Sequence, residues 1–270
     1  MDPVTLGMAV LLGVVEGLTE FLPVSSTGHL ILLVDLLGFK GPPGKVFEVA
    51  IQLGAILAIV WVYRVKFLEV ARGVLRLDEP SLQFAYNLFV AFVPAMVLGA
   101  LLHGFIKSVL FSPWVVSAAL IAGAGAIVAV ERWKPAPRHE TVDTFRPWLA
   151  FRIGLFQTVA MVPGVSRSGA TIMGGMLLGA DRRAATEFSF FLAVPTMLAA
   201  TVYDVYKNRA ALGDGDWLVI AVGFASAFVA AMLVVRWLVG FVGRHGFVPF
   251  AVYRAIVGAA MLAILALGKA

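Results

Sequence analysis

Along the chain, long apolar runs alternate with short polar stretches. A run of about 20 apolar residues is what an α-helix needs to cross the hydrocarbon core of a bilayer. Such runs predict helices at 47–63, 84–103 and 114–130, then at 186–203, 217–239 and 250–267. Each set of three follows a run that a proline interrupts. In the first, an arm from Val4 reaches Pro23, and a short arm ends at Leu37. In the second, an arm from Trp148 reaches Pro163, and a short arm runs from Ala170 to Gly179. The residue before a proline is pushed out of the α region, so both runs break there. The arms around Pro163 are too short to cross alone. These patterns predict re-entrant helix-loop-helix hairpins at 4–38 and 148–179.

The order hairpin, helix, helix, helix therefore occurs twice, with a period of about 135 residues. Residues 1–135 form the first repeat and 136–270 the second, within one membrane domain. The breaks echo each other: G-V-V-E-G-L-T-E-F-L-P-V-S-S-T-G against G-L-F-Q-T-V-A-M-V-P-G-V-S-R-S-G. Three crossings per repeat make the second enter from the opposite side. The expected fold is an all-α polytopic membrane protein, an inverted repeat of six transmembrane helices plus two re-entrant hairpins.

Composition agrees, with 61% hydrophobic and 14% charged residues, where soluble domains average about half and a quarter. The net charge of +5 is spread over loops, which argues topology and not nucleic-acid binding. The segments 64–83, 131–150, 180–185 and 236–249 fall on one side and hold twelve Lys and Arg. The other side holds six: Lys40, Lys45, Lys107, Lys207, Arg209 and Lys269. The positive-inside bias puts the first group in the cytoplasm. Arg152, Arg167 and Arg254 lie within the hydrophobic elements. Met1–Val4 lacks the basic start of a signal peptide, so insertion is expected to use the internal helices.

Charged groups at membrane depth are expensive and mark functional sites. Glu16 and Glu20 stand at i and i+4 and share a helix face. Two like charges that close call for a cation between them, and a hard divalent ion such as Mg²⁺ or Ca²⁺ suits carboxylate oxygens. Just beyond them come Ser25, Ser26, Thr27, Gly28 and His29; the second break offers Gly164, Ser166, Arg167, Ser168 and Gly169. Each break precedes a short helix, and free N–H groups at a helix start bind anions. Two such starts facing one cavity would grip an oxygen-rich group such as a pyrophosphate, with Arg167 as a phosphate clamp or as the ion-pair partner of Glu16, Glu20 or Glu48. His29 suits proton transfer or nucleophilic attack. Glu48 and Gln52, also i and i+4, are candidates to line the same cavity.

The stretches E-G-L-T-E-F-L-P-V-S-S-T-G-H-L and P-G-V-S-R-S-G-A-T, together with F-E-V-A-I-Q-L-G, resemble the signatures of the bacterial undecaprenyl-diphosphatases, the bacitracin-resistance membrane phosphatases. The likeness covers essentially the whole chain. It implies hydrolysis of undecaprenyl diphosphate to undecaprenyl phosphate and phosphate with a divalent metal, which recycles the lipid carrier of peptidoglycan synthesis. It also implies an inner-membrane location, a site facing the periplasm, and a homodimer. Carried onto this chain, the family's site covers Glu16, Glu20, Ser25, Ser26, Thr27, His29, Ser166, Arg167 and Ser168. The attacking group remains open between Ser26, His29 and a water activated by His29. The rival reading is a transporter or flippase of prenyl phosphate or another anion, since inverted repeats with broken helices also build secondary transporters. A pure anion carrier gains nothing from two carboxylates beside its anion.

Overall fold

The computed structural model describes residues 3–39, 41–42, 46–105, 110, 112–208 and 216–268. Among these, the chain is helical with no strand, as an all-α polytopic membrane protein requires. The first half holds α1 (Pro3–Thr19), α2 (Ser26–Leu37), α3 (Val46–Val62), α4 (Arg64–Leu75), α5 (Glu79–Phe105) and α6 (Pro113–Trp133). The second holds α7 (Pro147–Val159), α8 (Arg167–Leu177), α9 (Arg182–Asn208), α10 (Asp216–His245) and α11 (Val248–Ala266). Helices α5, α6, α10 and α11 are long and apolar enough to cross a membrane, and α3 with α4 makes a fifth candidate bent by 76°. Helix α9 carries Arg182, Arg183 and Glu187 in its first two turns. Lys40, Lys45, Lys107, Arg209 and Lys269 lie outside the described residues.

The segment at 64–83 is not the loop that its charges predict. Most of it is α4, because no breaker intervenes before Gly73 and because Phe67 and Val70, at helical spacing, pack on the core. Val65, Leu68 and Leu75 are exposed on its other face, the amphipathic character of a helix at a membrane interface.

The polar surface joins the four basic segments. Glu131, at the end of α6, takes bonds from Arg182, from Lys134 and from the amide of Phe247. Lys66 pairs with Asp143 at 2.7 Å. Arg138 donates its backbone N–H to Gly179, and Gln83 and Asn87 both donate to the Phe145 carbonyl. These contacts gather on one face the four segments that the count of crossings assigns to one side.

Lipid is as apolar as leucine, so helices in a bilayer associate through close packing of small residues. Helix α1 packs on α10, α7 on α5, and α6 on α11. Along α1, Ala9, Leu12, Gly13, Glu16 and Gly17 form one buried stripe. Gly13 lies against Gly223, and Gly17 lies against Ala227 and Ala230. Gly154 of α7 lies equally close to Ala91 of α5. A Cβ at Gly17 or Gly154 would collide with a backbone carbonyl, whereas one at Gly7 meets nothing within 4 Å. Gly17→Ala and Gly154→Ala are therefore each expected to lower stability by about 1–3 kcal/mol, the usual effect of overpacking. Thermal unfolding in detergent checks this, with Gly7→Ala expected to melt like the parent.

Candidate active site

The two breaks meet against α6. A Cβ at Gly28 would press on Val116, and one at Gly164, which has φ +94°, would strike the Val116 carbonyl. Absence of both side chains lets the two loops approach the same point of the helix. Beyond each break the chain passes through a serine with positive φ, Ser25 at 68° and Ser166 at 79°. A side-chain-bearing residue in that region is strained and persists only where its surroundings fix it.

These serines are the caps of α2 and α8, so the helices begin earlier than the sequence pattern places them. Ser26 and Thr27 are the first residues of α2, and Arg167 and Ser168 the first of α8. Part of the reason is local: serine is a favoured residue just before a helix start, and the early glycines Gly28 and Gly169 do not prevent it. Ser166 caps fully, its Oγ accepting from the Gly169 amide at 3.1 Å. Its own hydroxyl donates to Ser168 Oγ at 3.0 Å, and Ser168 donates across to the Leu22 carbonyl at 2.8 Å. Ser25 is buried, but its side chain makes no capping bond.

Glu20 sits between the two helix starts. Ser26 Oγ donates to its Oε2 at 2.5 Å, and Arg167 Nη2 donates to its Oε1 at 3.2 Å. Arg167 Nη1 also donates to the Ser189 carbonyl at 2.8 Å, while its Nε is buried with no partner. Ser189 of α9, absent from the sequence-based candidates, thus orients the arginine; a serine in a phenylalanine-rich helix gave no pattern by which to find it.

Glu16 is wholly buried, and neither carboxylate oxygen has a hydrogen-bond partner. Glu20 and Glu48 lie within its electrostatic reach. An orphaned, buried carboxylate beside a second one suits a hard divalent cation. Glu48 and Gln52 are half-buried on α3. Thr27 is half-buried in the first turn of α2. Glu187, in the second turn of α9, accepts from Tyr63 at 3.3 Å. Two cavities of 480 and 810 Å³ open on the basic face, lined by Glu79, Gln83 and Asp143 among others, and contain none of these site residues.

His29 is turned away from Glu20. Its Nδ1 lies 2.8 Å from the Ser25 carbonyl, which can only accept, so Nδ1 carries the proton. Its Nε2 lies 2.7 Å from the Tyr253 hydroxyl, and the two rings stack at 5.6 Å. Tyr253 was not foreseen either; one tyrosine among apolar residues of α11 carries no signal in sequence.

The family described as bacitracin resistance protein BacA matches residues 9–260. The chain is 54% identical over 259 residues to undecaprenyl-diphosphatase 2 of Paramagnetospirillum magneticum, spanning 95% of this chain and 98% of the relative. It is 52% identical over 264 residues to the undecaprenyl-diphosphatase of Dechloromonas aromatica, with 97% and 96% covered. Over 268 residues it is 51% identical to that of Methylobacillus flagellatus, with 97% and 99% covered.

The two carboxylates should answer differently to neutralisation. Glu20→Gln leaves Arg167 buried without its counter-charge, and breaking such a pair costs about 3–5 kcal/mol. Glu16→Gln replaces a buried carboxyl group that has no partner with a neutral amide. In chelator, thermal unfolding is expected to show Glu20→Gln much less stable than the parent and Glu16→Gln equal or more stable.

Proposed function

The chain belongs to the bacitracin-resistance protein family, and from that premise we propose that it hydrolyses undecaprenyl diphosphate to undecaprenyl phosphate and phosphate. The observation that carries the reading is Glu20, held between a serine hydroxyl and an arginine at two facing helix starts. Phosphoryl transfer needs mainly positioning and charge stabilisation, and this arrangement offers both.

The attacking group is Ser26. Its hydroxyl already points its proton at Glu20 Oε2, the geometry of a nucleophile and its general base. The proton passes to Glu20 as Oγ attacks the terminal phosphorus, and the bond to the bridging oxygen breaks. Undecaprenyl phosphate leaves, and water then cleaves the phosphoserine. Arg167 neutralises the phosphoryl oxygens, and the free N–H groups at the starts of α2 and α8 hold them. His29, bonded to Ser25 and Tyr253, is not in line for that proton. It braces the turn at Ser25, with Nε2 held by the Tyr253 hydroxyl.

A divalent cation, Mg²⁺ or Ca²⁺, would be held by Glu16 with Glu20 and would supply positive charge to the diphosphate, with Glu48 acting on Glu16 only at longer range. Thr27, Ser168 and Gly169 belong to the phosphate-binding turns, and Gln52 to the cavity wall. The prenyl tail lies along apolar helix surfaces facing lipid. The family likeness further implies the bacterial inner membrane, a site open to the periplasm, a homodimer, and a contribution to bacitracin resistance; the repeats 1–135 and 136–270 each supply one break.

Purified protein in detergent is expected to release phosphate from a prenyl diphosphate. Glu20→Gln, Arg167→Ala and Ser26→Ala should each lower kcat by about 10²-fold or more, the usual effect of removing one such group. Substrate radiolabelled on the terminal phosphate and quenched in neutral denaturant, which preserves both phosphoserine and phosphohistidine, should leave label on Ser26. Full activity in both Glu20→Gln and Arg167→Ala would remove the assignment, and label on His29 would move the nucleophile.

A further inference from the structure

Arg254 of α11 is 1% exposed, and its guanidinium lies where the two breaks meet. Nη1 donates to the carbonyls of Pro23 and Val165, each at 2.9 Å. Nη2 donates to Gly164 at 2.9 Å and to Ala119 at 3.1 Å. Nε donates to Leu120 at 3.2 Å. A guanidinium carries five N–H donors in one rigid plane. Here each of the five has a backbone carbonyl as acceptor.

The acceptors are not arbitrary. Pro23 follows the end of α1 and lies two residues before Ser25; Val165 immediately precedes Ser166. Arg254 therefore grips the chain just ahead of both strained serine turns and fastens both to the middle of α6. Gly123 makes room for it, since a Cβ there would collide with Nη2. The carbonyls quench no charge, so the cation remains, close behind the starts of α2 and α8 and close enough to His29 to act on it electrostatically.

We propose that Arg254 is a positioning residue: it clasps the two breaks so that Ser26 and Arg167 stay on opposite oxygens of Glu20, and its charge strengthens the anion-binding field of both helix starts. The proposal rests on the diphosphatase reading for its kinetic consequences, though not for the clasp itself.

Three variants separate the parts. Arg254→Lys keeps the charge but has only three donors and no plane; Arg254→Met loses both. Gly123→Ala keeps the arginine and displaces it, while Gly125→Ala, with nothing within 4 Å of the added Cβ, is the control. Using a prenyl diphosphate in detergent, Arg254→Lys and Gly123→Ala are expected to lose about 10–10² in kcat, as for a small misplacement of reacting groups, with KM little changed. Arg254→Met is expected to lose kcat and also to raise KM. A partly unfolded sample would lower kcat without this split between the charged and uncharged variants.

Hydrogen exchange in the same samples reads the clasp without catalysis. It should rise at residues 21–26 and 161–168 in Arg254→Met and Gly123→Ala, and stay unchanged elsewhere and in Gly125→Ala. Exchange that stays low at both breaks, or rises evenly along the chain, overturns the clasp. Equal KM in the lysine and methionine variants overturns the field. If Arg254→Met is not recovered folded, Gly123→Ala decides the clasp alone. A parent protein that releases no phosphate would remove the functional reading instead, and the exchange result would still stand.

Discussion

A helix that stops inside a membrane leaves backbone carbonyls without partners, and lipid offers none. The structure depends on how that demand is met. Leu22 and Pro23 beyond α1, and Gly164 and Val165 beyond α7, all present carbonyls in the buried interior. Ser168 takes that of Leu22, and Arg254 takes the other three. Leu22 also accepts locally from the Val24 amide at 2.7 Å, but the other donors come from distant parts of the chain, so each break depends on residues outside its own hairpin. The first is completed by a serine of the second, and both by a residue of the last helix.

With the carbonyl ends tied back in this way, the first amides of α2 and α8 would be left to face a ligand in the proposed site, the Gly169 amide being taken by Ser166 Oγ. The charges around them are Glu16, Glu20 and Glu48 against Arg167 and Arg254. A diphosphate entering that set adds further negative charge, and only more positive charge makes its approach favourable. Glu16, whose oxygens have no protein donor, is where a cation would do most. The same carboxylate that is a liability to the folded protein alone thus becomes intelligible as part of the site.

Much of this was legible before any coordinates. Apolar run length located the four helices long enough to cross a membrane and the bent fifth candidate, though not 186–203 as a span among the described residues, and Pro23 and Pro163 located the breaks, because both signals are local and strong. The polar residues at those breaks stood out for the same reason: serine, glutamate and arginine have no ordinary use at membrane depth. What could not be read was which of them touch. His29 looked like a partner of the carboxylates because it is near them in sequence, but one helical turn carries it round to Tyr253. Arg254 was visible as a charge in an apolar helix, yet its partners are carbonyls, and carbonyls leave no trace in a sequence. Helix α4 was hidden by its charges, since an interfacial helix and a basic loop have similar composition. Ser189 was hidden by its neighbours.

The comparison of the two breaks carries the argument furthest. Ser25 and Ser166 stand at equivalent positions with positive φ, though only Ser166 makes a capping bond, and the residue after each begins a short helix. In one half that residue is Ser26; in the other it is Arg167. Both reach the same carboxylate, one on each oxygen. A symmetric pair of serines would offer two nucleophiles and no cation, and a pair of arginines the reverse. In the proposed reaction a diphosphate would need one group that attacks and one that holds charge, placed on opposite sides of the base that links them. Divergence at a single equivalent position would supply both, while the positive-φ serines, the glycines against Val116 and the proposed clasp behind them would keep the two halves in register.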